Sequence, residues 1–158
     1  MTDETKKEFT RRISQGSATE IIVILYEIAI KYMEDTEDFL KKDMHEDARR
    51  ESANAVRVFG HLTASLDFTY AISMNLYRIY EYISKEVSMA VIRNSAEGLE
   101  APIRMMKSLK ESFEKLARED QSGPMMDNSQ TVYTGLTYGK GSLNDSTVVG
   151  ECNRGFMV

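Results

Sequence analysis

The sequence holds one cysteine, two prolines, two histidines and no tryptophan. Each scarcity removes a class of protein. The lone Cys152 forms no internal disulfide, so this is not a stapled secreted scaffold, and a reducing cytoplasm is the default compartment. No apolar run approaches the roughly 20 residues that span a bilayer, and the charged stretch from Met1 to Arg12 is no secretory signal. Di-metal sites in helical bundles need Glu-x-x-His pairs facing inward. Here Lys42 and Val58 stand three residues before His45 and His61, and His61 falls on a polar face. No phosphate loop, nucleophile elbow or zinc spacing appears, and Gly139-Lys140-Gly141-Ser142 lacks the strand-to-helix setting of a phosphate loop. The chain therefore reads as a non-enzyme without metal or cofactor. A net charge of −5 without any basic motif argues against a nucleic-acid partner.

Helix breakers are unevenly spread. Before residue 120 they are Gly16, Gly60, Gly98 and Pro102, whereas six of the nine glycines fall from Gly123 onward. The shift divides the chain into a flexible, unstructured N-terminal arm (1–16), a helical domain (17–119) and a Gly- and Tyr-bearing tail (120–158) expected to be loop-like or disordered. Alternation from Thr131 to Leu143 supports a short strand only if a partner supplies the other edge.

Four amphipathic helices fill the middle. The first runs from Ala18 to Lys42, where Ser17 and Glu20 form a capping-box pattern. At roughly 100° per residue, Ile22, Leu25, Ala29, Met33, Thr36 and Leu40 share a face. The second runs from Glu46 to Leu66 on a stripe of Ala48, Ser52, Ala55, Phe59, Leu62 and Leu66. The third runs from Tyr70 to Arg93 on Ile72, Leu76, Ile79, Tyr80, Ile83, Val87 and Ala90. The fourth runs from Ser95 to Glu119 on Leu99, Met106, Leu109, Phe113 and Leu116. Pro102 should kink it or move its start to about Leu99. Short connections make consecutive helices antiparallel, so the fold class is an all-α antiparallel four-helix bundle.

The first helix carries more apolar surface than one stripe needs. Val23 and Ile30 lie on one flank, Ile24 and Ile28 on the other. A helix apolar on several sides must bury the excess, here in a wider core, a homodimer or a groove for another chain. Met74, Tyr82 and Met89 of the third helix lie on its charged side and are further contact candidates. Phe9 and Ile13 are apolar residues in an otherwise polar lead. They suit an arm that lies over part of the groove until a partner displaces it.

Four segments, in order, carry a resemblance. Ser17-Ala-Thr-Glu20-Ile-Ile-Val-Ile-Leu25-Tyr26-Glu27 is similar to the opening helix of the FliS family of flagellar secretion chaperones. Leu62 through Ser65-Leu66-Asp67 is similar to that family's Leu-x-x-Ser-Leu-Asp. Asn75-Leu76 with Tyr80, Tyr82 and Ile83, and Leu109 through Phe113, resemble its third- and fourth-helix signatures. Ala18 stands where the family has Pro, Ile28 where it has Gly, and Phe113 where it has Trp. The resemblance implies a cytoplasmic export chaperone. Its partner would be the disordered C-terminal segment of flagellin, held from premature polymerisation and kept competent for flagellar type III secretion. It leaves room for a contact with the export apparatus. The implied contact set is Phe9, Ile13, Val23, Ile24, Tyr26, Ile28, Ile30, Met74, Tyr82 and Met89. The rival reading is a helical adaptor or regulator that self-associates, as a weak homodimer, through its apolar flanks. Tyr133, Leu136, Tyr138 and Phe156 make the tail a candidate docking segment for the bundle or a second partner.

Overall fold

A computed structural model describes residues 1–125. Five helices follow in order: α1 (Asp3–Gln15), α2 (Ala18–Lys41), α3 (His45–Ala64), α4 (Ala71–Arg93) and α5 (Glu100–Glu119). Among the described residues there is no strand.

The last four helices form the expected bundle, and local chemistry sets their ends. Ser17 accepts from the Glu20 amide while the Glu20 carboxylate accepts from the Ser17 amide, closing both halves of the capping box. α2 ends where Asp43 turns left-handed, and α4 ends on left-handed Asn94. α5 begins at Glu100, not Ser95. Gly98, at φ 92°, breaks the chain before it. Pro102 then falls in the first turn, where its missing N–H has no intrahelical partner to lose, and no kink is needed.

α2 is the hub, packed between α3 and α5, with α4 against α3. The α4–α5 seam is the loosest. Fully buried Tyr26, Met33, Leu62, Ile83, Leu99 and Met106 mark the core. Ile103 and Val91 join it although neither lies on the expected stripes. Two stripe residues leave it. Ile72 is 63% exposed and Leu116 53% exposed, and they lie in the first turn of α4 and the last turn of α5.

The arm is itself a helix, a departure from the unstructured lead expected for residues 1–16. The Thr2 hydroxyl caps it by accepting from the Thr5 amide. Asp3 and Glu4 occupy the positive end of the helix dipole and Arg12 the negative end. Phe9 and Ile13, four residues apart, fall on one face and pack against the core. α1 then doubles back on α2, so that Met1 meets Asp35 and Arg12 meets Glu27.

The possible strand at 131–143, the tail aromatics and Cys152 lie outside the described residues. No described helix is long and apolar enough to cross a membrane.

Candidate partner-binding groove

α1 sits along the outer side of α2 without sinking into the molecule. None of its residues is buried, and Phe9 and Ile13 are only partly so. Clefts open along both edges. On the α3 side, a cleft of about 260 Å3 is lined by Phe9, Ile13, Leu25, Ile28, Tyr32 and Val58 among others. On the α5 side, one of about 380 Å3 brings Phe9 and Ile30 together with Lys107, Lys110 and Glu111. A third, of about 410 Å3, lies at the α1–α2 elbow and includes Arg12, Val23, Ile24, Glu27 and Glu114. The helix is therefore a cover over a seam that runs from α3 across α2 to α5.

Polar contacts fix the cover at both ends. Near its C-terminus, Arg12 makes a two-pronged pair with Glu27, at 2.5 and 3.1 Å. That hydrogen bond, more than burial opposes it, raises the guanidinium's pKa. At its start, the Met1 ammonium donates to Asp35 at 3.0 Å. Burial alone would raise the Asp35 pKa, but hydrogen bonds from Lys31 and the ammonium outweigh it and hold the carboxyl below the ordinary 3.8. A strap from the end of α5 closes the elbow, where the Met125 amide donates to the Gly16 carbonyl.

The contact candidates distribute unevenly around this groove. Val23, Ile24, Ile28 and Ile30 are at most 9% exposed, so the surplus surface of α2 is covered within the single chain. α1, α3 and α5 together supply the wider core that periodicity left open. Phe9 and Ile13 belong to the cover. Tyr26 does not line the groove. It is fully buried, its hydroxyl 2.5 Å from that of Tyr80, with Phe113 edge-on at 5.2 Å. Burial, and then the neighbouring Tyr80, push its pKa far upward, so it is a neutral core residue. Met74 and Tyr82 are exposed on α4, and Met89 is half-buried there. They form a separate surface, because α4 lies across the bundle from α1.

The sequence reading missed Asp35 and Glu51. Glu51 is 5% exposed although it is charged and sits one residue before the α3 stripe resumes at Ser52. Helical spacing is the signal that could have found it, since Glu51 stands three residues after Ala48 and four before Ala55, at the edge of the apolar stripe. No group of His, Cys, Asp and Glu suited to a metal ion occurs among the described residues. His45 and His61 stay apart from any such cluster.

No curated protein matches the chain. The family described as flagellar protein FliS matches it over residues 1–120, which takes in α1, the whole bundle and the start of the strap. The capping box that opens α2, the Tyr26–Tyr80 pair and Phe113 all fall inside that span. The chain belongs to the flagellar protein FliS family, a family of flagellar chaperones rather than enzymes.

Proposed function

We propose that the chain is a cytoplasmic export chaperone for flagellin. It binds the disordered C-terminal segment of flagellin, blocks premature polymerisation and keeps the subunit ready for flagellar type III secretion. The observation that carries this reading is the shallow helix over the apolar seam. A helix with no buried residue, held by two apolar side chains and an ion pair at each end, is suited to leave. Its departure would expose Ile24 and Ile28 and open the clefts beside Val23 and Ile30. An amphipathic segment can then lie in the seam with residues of the i, i+3, i+4 type inserted. Folding the segment costs about 2–5 kcal/mol of the gross interaction energy, which keeps the complex reversible at the point of export.

In this reading residues 1–16 are a detachable cover and 17–119 the binding domain. Met74, Tyr82 and Met89 offer a second face, for a longer stretch of flagellin or for the export apparatus. Self-association through the α2 flanks is the weaker account, since those flanks are covered in the single chain. Calorimetric titration with the C-terminal segment of flagellin from the same organism tests the proposal. Tight one-to-one binding with a large negative heat-capacity change is expected. Absence of binding, together with a mass that rises with concentration, would replace the proposal with self-association.

A further inference from the structure

The start of α1 lies over two acids from different helices. Asp35 on α2 and Glu51 on α3 both face the Met1 ammonium, at 3.0 Å from Asp35 Oδ2 and 3.8 Å from Glu51 Oε2. Lys31 Nζ takes the other Asp35 oxygen at 2.8 Å, and Arg50 Nε the other Glu51 oxygen at 3.3 Å. Both of those cations sit on exposed side chains. Glu51 Oε2 is different. It is buried and has no hydrogen bond among the described residues, with the Met1 nitrogen 3.8 Å away.

Removing the cover changes the balance. With α1 gone, water reaches the inner oxygens and solvates them. A segment that then lies along the same track expels the water again. Two carboxylates so covered need a cation between them, since burying an unpaired charge is strongly unfavourable. We infer that Asp35 and Glu51 form a cation-anchoring subsite of the groove, covered at rest by the start of the arm and filled, in the complex, by a lysine or arginine of the incoming segment. The inference rests on the chaperone reading and adds a selection rule to it. Apolar surface would not suffice for binding, because a segment without a cation at this point leaves the acids desolvated and is rejected.

The test uses the full chain and its Asp35→Asn/Glu51→Gln variant. Each is titrated by calorimetry with the flagellin C-terminal segment, and with the same segment after every Lys and Arg is replaced by Gln. The unmodified chain is expected to bind the charge-stripped segment about tenfold more weakly or worse, the scale of a lost hydrogen bond to a buried charge. The variant is expected to bind both segments about equally, because its amides need no cation. An equal loss in both chains, or no loss in either while the native segment still binds, would overturn the subsite. A native segment that binds neither chain would overturn the chaperone reading and the subsite with it. Should the double variant fail to fold by circular dichroism, Asp35→Asn alone, at the less buried acid, should reduce the charge effect. An undiminished effect there would also count against the subsite.

Discussion

Two regions of this small protein are built on opposite rules. Around Tyr26 the molecule is dry and aromatic. Tyr26, Tyr80, Phe59 and Phe113 contact one another in tilted or edge-on pairs, and the hydroxyls of Tyr26 and Tyr80 share a hydrogen bond. Around α1 the packing is shallow, edged by clefts, and fixed by ion pairs at its two ends. Helices meet in both places, yet the first contact gains from removing large side chains from water and the second mostly exchanges solvated charges for paired ones. The former is worth several times the latter. A molecule assembled this way is expected to keep its bundle when α1 is loosened, and that expectation can be tested.

The sharpest way to break that contrast is at Tyr26. Tyr26→Ala should destabilise the fold by about 3–5 kcal/mol, through the cavity it leaves and the orphaned Tyr80 hydroxyl, read as a lower midpoint in urea unfolding. Removing the apolar hold on α1 should do much less. Phe9→Ala with Ile13→Ala should cost the bundle no more than about 1 kcal/mol, while hydrogen exchange of α1 amides rises toward that of an open chain and α2 to α5 stay protected. If the double variant instead unfolds the bundle, α1 is part of the core and not a cover.

Acid should sharpen the comparison with the smallest effect. The Asp35 pKa is held down in the folded protein, so its contribution is present above the ordinary value of 3.8 and is lost as pH falls through the lower folded value. Amide chemical shifts of α1 should accordingly stay constant down to about pH 4 and then drift toward random-coil positions, ahead of any change in the bundle. Simultaneous change of α1 and α2 shifts would mean that Asp35 does not act on the cover separately.

The bundle was legible in the sequence because each stripe repeats at helical spacing and the Ser17–Glu20 capping box marks the start of α2. The left-handed turns at Asn94 and Gly98 were not read as helix ends, which is why the fourth helix was started too early, at Ser95. The surplus on α2 was legible too, but its destination was not. Val23, Ile24, Ile28 and Ile30 read alike on a helical wheel whether a core, a twin or another chain covers them. α1 escaped notice because one turn spacing, Phe9 to Ile13, is too short a pattern to stand out among charged residues. The setting of Tyr26 was hidden for a related reason. Its position among aliphatics says that it is covered, but only the arrival of Tyr80 and Phe113 from two other helices says by what.

Sequence by itself determined the four long helices, their antiparallel order and the family's ordered motifs, since these depend on contacts within a few residues and on short connections. Tertiary structure alone decided that the first sixteen residues fold back as a cover. It also decided that Asp35 and Glu51 come together beneath that cover, and that the tyrosines on α2 and α4 meet hydroxyl to hydroxyl. The physical reason is the same in each case. Burial and pairing of these groups depend on residues far away in the chain, and no local pattern encodes the distance across which a charge or a hydroxyl will find its partner.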